Sequence, residues 1–335
     1  MEEINPDIAA RSKLIEDCFA RPMSHDLATI FERISAQMEG LPVQHVSAAS
    51  AWATSMSRLT QAAQLPYWMA WFGYIAGQHL RIATAAAADA ARQLDEGQAD
   101  FEEAFDRLKR DIAKTKLAEL INSDAGKQKL HAGAIRMLAL ASEVDSDAMI
   151  DGAHAMLGQA AIATWAALEA FVADSVRATL NQQPEYLRYL LRDEDAKKRI
   201  ARVRFGLGDL LDLGLNLSDR LGDLILSDND LSDYTSMKAI LMPLLQRPAG
   251  LKAALDNHSL YILGKLRNVL VHRSGMADER FEQETGGRWK AGSVVTIQAA
   301  DLANYISATG AVVEQVLAAV RLLDGLQAVR ATDAS

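Results

Sequence analysis

An arginine, an asparagine and a histidine stand close together in one otherwise apolar helical run, LGKLRNVLVHRSG, as Arg267, Asn268 and His272. Arginine binds phosphate through paired hydrogen bonds and stabilises the added charge of a pentacoordinate transition state. Histidine titrates near neutrality and can move a proton. Asparagine can hold the imidazole or the phosphate in place. The three together suit phosphodiester chemistry. The competing reading is structural: a core helix whose solvated edge carries three polar residues.

Helical geometry decides which of them can meet. Asn268 and His272 are four residues apart and share a face that Tyr261 and Gly264 continue, while Leu263, Leu266 and Leu270 form another face that can bury. Arg267 sits about 100° from Asn268 around the axis, and its long stem reaches the same strip. The helix is expected from Ser259 to His272 with Gly275 as its C-cap. Cleaving RNA by attack of the 2'-hydroxyl requires one proton removed and another delivered, and one helix supplies one such histidine. A two-fold pairing of chains would supply the second, so the proton count predicts a homodimer.

The elements that position these residues read as helices almost throughout. Alanine, leucine and charged residues dominate, and proline is scarce. The fold class is all-α: helical bundles with at most one small β-hairpin near residues 288–298, where Val294, Val295, Thr296 and Ile297 follow Gly286, Gly287 and Gly292. Helices are expected over residues 7–20, 25–39, 47–64, 66–94 and 100–122, followed by a turn at Ser123 to Gln128. A second series begins near Lys127, and within it Ile162, Trp165, Leu168, Phe171, Val172 and Val176 make a core-facing stripe. A charged helix follows Pro184, an acidic loop spans Leu226 to Tyr234, and a helix from Ala300 to Leu326 closes the chain. The division falls between an N-terminal helical region, 1–122, and a second region, 123–335.

A net charge of -9 argues against a uniformly basic coat, so any RNA surface must be local. One candidate is YLRYLLRDEDAKKRIARVR, which gathers Arg188, Arg192, Lys197, Lys198, Arg199, Arg202 and Arg204, with Arg273 beside the trio. These can track an RNA backbone or bind a partner; the plainer reading is a solvated helix whose lysines pair with Glu194 and Asp195.

RNVLVHRSG resembles the R-x4-6-H signature of HEPN-domain proteins (higher eukaryotes and prokaryotes nucleotide-binding). The segment after it, GMADERFEQETGGRWKAGSVVTIQAADLANYI, and the earlier AALEAFVADSV with its acidic Glu169 extend the likeness over roughly residues 148–326. The resemblance implies a dimerising helical bundle. In many members it also implies a metal-independent endoribonuclease that leaves 2',3'-cyclic phosphate ends. Arg267 and His272 then correspond to the catalytic pair and Asn268 to the polar residue beside the arginine. Such nucleases often act as toxins or in phage defence, with an antitoxin or defence-system partner. Here the arginine-to-histidine gap is the short form, and an insertion occupies residues 183–257.

Two alternatives stand beside a nuclease. One is a noncatalytic module that dimerises or binds a nucleotide or partner. The other is a granule or membrane surface protein, because the Ala-rich front half resembles phasins in composition and LPYWMAWFGYIAGQHL concentrates Tyr67, Trp68, Trp71, Phe72 and Tyr74. That aromatic cluster also reads as a core or a dimer seam. No cofactor and no metal is expected. His25, His45, His79, His131, His154 and His258 lack ligand spacing, and FGLGDLLDLG lacks a dinucleotide fingerprint. LSDNDLSDY lacks the glycine and the terminal glutamate of a calcium loop. The single Cys18, a start without an apolar signal core and the lack of an uninterrupted apolar span lead to the expectation of a cytoplasmic protein.

Overall fold

A computed structural model describes residues 13–15, 17–19, 24–94, 100–143, 146–200, 208, 211, 214, 217, 219–227 and 231–333. The fold is all-α. In chain order the helices are α1 (Ser24–Met38), α2 (Val43–Gln93), α3 (Phe101–Asn122), α4 (Asp124–Ala141) and α5 (Ser146–Gln182). A 3-10 turn at Pro184–Tyr186 leads to α6 (Leu187–Arg192), α7 (Glu194–Ile200), α8 (Leu221–Ser227), α9 (Tyr234–Leu244) and α10 (Ala249–Leu255). The last three are α11 (His258–His272), α12 (Glu279–Glu284) and α13 (Ala299–Asp333). Most of the expected helix at 7–20 and the stretch after Ile200 lie outside the described residues.

Several boundaries differ from the sequence expectation for local reasons. Pro66 was expected to separate two helices, yet α2 runs through it as one helix of 51 residues. Proline removes a single backbone donor, and the flanking Ala63 and Tyr67 are buried, so packing holds the helix on both sides. The turn expected over residues 123–128 contracts to Ser123, whose Oγ accepts from the Gly126 N–H at 3.0 Å and caps α4. The charged helix after Pro184 breaks at Asp193, which accepts from the N–H groups of Asp195 and Ala196 at 3.1 and 2.9 Å and starts a new helix.

The β-branched segment forms a short extended arm. Gly292 donates to the Ala277 carbonyl at 2.8 Å, Ala277 to Ser293 at 3.0 Å and Val295 to Gly275 at 2.8 Å. This makes one antiparallel bridge, Met276 with Val294, and no strand among the described residues. Val295 and Ile297 point into the core, and Val294 stays exposed.

The chain divides into two compact units: unit 1, Met1–Pro22 and Ala62–Ala155, and unit 2, Met23–Gln61 and Met156–Ser335. In unit 1, Tyr67, Ala134 and Ile135 are buried together with Trp68, Ala70 and Trp71 against them. Tyr67 hydroxyl and His131 Nδ1 lie 3.0 Å apart. Gly133 leaves room for the Tyr74 ring, which a Cβ would overlap at 2.2 Å. Lys116 of α3 donates to Asp89 of α2 at 2.6 Å.

In unit 2, α13 packs against α1, α10 and α11. Gly310 lets it approach α1 closely, because a Cβ there would meet Ile30 Cγ2 at 2.7 Å. The Arg321 guanidinium donates to the carbonyls of Ala36, Gln37 and Glu39 at 3.2, 2.9 and 2.6 Å, satisfying the exposed end of α1. The stripe on α5 is in the core: Trp165, Leu168, Phe171, Val172 and Val176 are all buried, and Ile162 is half-buried. By length and composition, Asp147–Gln182 and Ala299–Asp324 would pass as membrane spans; 50% and 61% of those apolar windows are buried inside the protein, which accounts for their character.

Candidate functional site

α11 starts at Asn257, whose Oδ1 accepts from the Ser259 N–H at 2.8 Å. Its buried face is Leu260, Ile262, Leu263, Gly264, Leu266 and Val269. Gly264 was expected to continue the polar strip, but it lies under Trp165: a Cβ there would meet the indole at 3.0 Å and Tyr234 Cβ at 3.4 Å. The strip therefore turns polar only in the last two turns of the helix. Leu270 is half-buried, less deeply set than Leu263 and Leu266.

The helix ends at His272 with Arg273 as its C-cap, and Ser274 and Gly275 are both left-handed at φ 51° and 78°. Arg273 and Gly275 both donate back to the Val269 carbonyl, at 3.0 and 3.1 Å, and Ser274, one residue before the expected glycine, takes the first left-handed position. Arg273 pairs with Asp278, which also accepts from the Phe281 N–H at 2.7 Å and starts α12. The Phe281 N–H, opposed in part by desolvation and aided by Arg273, holds the Asp278 carboxyl below its ordinary value.

The trio meets through the arginine. Arg267 Nη1 lies 3.2 Å from Asn268 Oδ1 and 3.2 Å from His272 Nε2. Arg267 is half-buried along its stem, and Asn268 and His272 are exposed. A guanidinium only donates, so Nε2 faces the donor in this contact. One cationic group thus sits against both an imidazole and an amide at the open end of a helix that has one face in the core.

Asn268 also lines a shallow cleft of about 210 Å³ with Lys265, Arg273, Asp278, Arg280 and Glu284. Its cations are largely neutralised: Lys265 and Arg280 both hold Glu284, at 2.8 and 3.0 Å. Sequence reasoning did not include Lys265 or Arg280. Lys265, three residues before Asn268, was legible as a neighbour on the same helix face; Arg280 arrives from α12 after a chain reversal that no periodicity announces.

The basic stretch is split by the break at Asp193. Arg188 is exposed and lies over the Tyr189 ring at 5.1 Å. Arg192 and Lys197 are exposed on either side of the break. Lys198 lies 3.9 Å from Asp195 of its own helix. Arg199 turns inward to the Ser236 hydroxyl and to Asp233 at 3.9 Å, so it braces α7 against α9. Arg202 and Arg204 lie outside the described residues. Glu169 is half-buried on α5. Among the described residues no group of three or more histidine, cysteine or carboxylate side chains could hold a metal. His45 was dismissed as a ligand and proves to be buried in unit 2, with its Nδ1 unpartnered.

Comparison of the chain with models of known families, with curated proteins and with solved structures finds no match.

Proposed function

We propose that the protein is a metal-independent endoribonuclease of HEPN type that works as a homodimer. The observation that carries this reading is the contact of one guanidinium with both Asn268 Oδ1 and His272 Nε2 at the exposed end of α11. His272, whose Nε2 faces the guanidinium in that contact, is suited to take the 2'-hydroxyl proton. Arg267 would release Nε2 to a substrate, bind the scissile phosphate and stabilise the charge that develops on it. Asn268 keeps the guanidinium aligned. Delivery of a proton to the departing 5'-oxygen then falls to a second chain's histidine, and the products are a 2',3'-cyclic phosphate and a free 5'-hydroxyl. The likeness to toxin and defence nucleases makes an antitoxin or defence-system protein the partner class to seek.

Purified chain incubated with labelled single-stranded RNA should give cyclic phosphate ends without added metal. The Arg267→Ala, His272→Ala double variant should cleave roughly 10²–10⁴-fold more slowly, the usual worth of positioned acid–base groups. Equal rates from the two proteins would remove the site from the chemistry.

A noncatalytic module that dimerises or binds a nucleotide or partner is the second reading. It is favoured by the pairing of Arg199, Arg273, Lys265 and Arg280 within the chain, which leaves fewer cations to hold a polyanion. Tight binding that His272→Ala leaves unchanged, with no cleavage, would select it.

A further inference from the structure

In unit 1, α2 turns a row of apolar side chains outward. Leu65, Met69, Phe72 and Leu80 are 56%, 67%, 61% and 70% exposed. Ala62 and Ala76 are exposed on the same line. The positions 62, 65, 69, 72 and 76 step by three and four in alternation, the period of a seam between helices. Met137 of α4, also exposed, borders the row, its Cε 3.1 Å from where a Gly73 Cβ would stand, and Leu140 is exposed one turn further along α4. Six large apolar side chains, each more than a third exposed, thus lie on these two helices of one unit; contiguous apolar patches of that kind mark interfaces, and a standard interface needs about 800 Å² from each partner.

The row has a bulky half, Leu65, Met69 and Phe72, and then a small residue, Ala76, beside which Gly73 and Gly77 on the adjoining line of the helix leave a hollow. A Cβ on Gly77 would meet nothing within 4 Å, so no contact among the described residues requires glycine there. Glycine nevertheless weakens a helix interior, and close approach of another backbone is what it permits. A bulky Leu65 and a small Ala76 set along one line become each other's complement when a two-fold axis reverses the helix.

We propose that this face is where a second copy of the chain docks, α2 against α2 and antiparallel, with the two-fold axis between Met69 and Phe72. Leu65 of one copy then lies over Ala76 of the other, where Met137 and Leu140 close over it. The argument uses no residue of the α11 trio and stands apart from the nuclease reading.

Sedimentation of the full chain tests it. Wild-type chain should be dimeric at micromolar concentration. Phe72→Glu should weaken dimerisation roughly 100-fold, as burying a charge at an interface centre does, with helicity unchanged by circular dichroism. Gly77→Leu raises helix propensity but fills the hollow, so it should melt no lower than wild type and still lose the dimer. The double variant Leu65→Cys, Ala76→Cys should oxidise to a covalent dimer while each single variant does not. The Arg267→Ala, His272→Ala chain should dimerise as wild type does, which separates this interface from the catalytic proposal. A chain monomeric at every concentration, or a dimer indifferent to both Phe72→Glu and Gly77→Leu, overturns the proposal. So does a monomer that binds anionic vesicles more tightly after Gly77→Leu, since the face would then belong to lipid.

Discussion

Two helical surfaces face water in opposite ways. At the end of α11, polar groups project from a helix that has one face in the core, and Arg267 meets both Asn268 and His272 there. On α2 between residues 65 and 80, apolar groups project from a helix whose opposite side is already packed through Tyr67 and its neighbours. The first arrangement costs the fold little, because water reaches every polar atom. Leaving the second in water forgoes about 25 cal/mol per Å² of burial, so the face suits a covering partner. The catalytic proposal rests on the first surface, and the dimer proposal on the second.

If the α11 end is a working site set on a rigid base, damage to that base should cost the most. Trp165→Ala removes the indole over which Gly264 packs and a 2.8 Å hydrogen bond to the Ser232 carbonyl. Denaturant titration should show a loss of about 3–5 kcal/mol in unit 2, with RNA cleavage lost alongside. A smaller loss would mean that α11 does not depend on that contact for its position.

An acid titration should weaken unit 2 next. Burial pushes the His45 pKa from 6.5 down to about 4. As pH falls from 6.5 to 4 the unfolded chain takes up a proton that the folded chain resists, so stability declines across that window and levels off below it. The integrated effect is about 3 kcal/mol. Urea midpoints measured from pH 7.5 to 4 should therefore fall more steeply for wild type than for His45→Leu; parallel curves would show that the imidazole is hydrated.

The smallest effect belongs to unit 1. Ser123→Ala deletes the cap of α4, the helix that borders the apolar face with Met137 and Leu140. Melting should report a loss of about 1 kcal/mol. Dimer dissociation should change less than it does for Phe72→Glu, because the cap supports the face without forming it.

Much of this architecture could be read from residue order. The α5 stripe from Trp165 to Val176 is buried, and α11 ends at His272 as its pattern indicates. What escaped the reading depended on partners distant in sequence. Pro66 signals a break, yet the burial of Ala63 and Tyr67 holds one helix through it. The basic run after Pro184 resembles one charged face, yet Asp193 caps a new helix and Arg247 from another segment pairs with it. The two compact units also interleave along the chain, since α2 and α5 each run unbroken across a unit boundary that periodicity does not mark.

The sequence by itself determined the all-α class, the apolar stripe of α5 and the closeness of Arg267, Asn268 and His272, because each depends on spacing within a few turns. Only the tertiary structure decided that Gly264 is covered, that Arg199 is spent on Ser236 and Asp233, and that the row from Leu65 to Leu80 is left bare. A buried stripe and an exposed one have the same period. What distinguishes them is whether another helix arrives to cover the stripe, and that is set by packing between segments far apart in the chain.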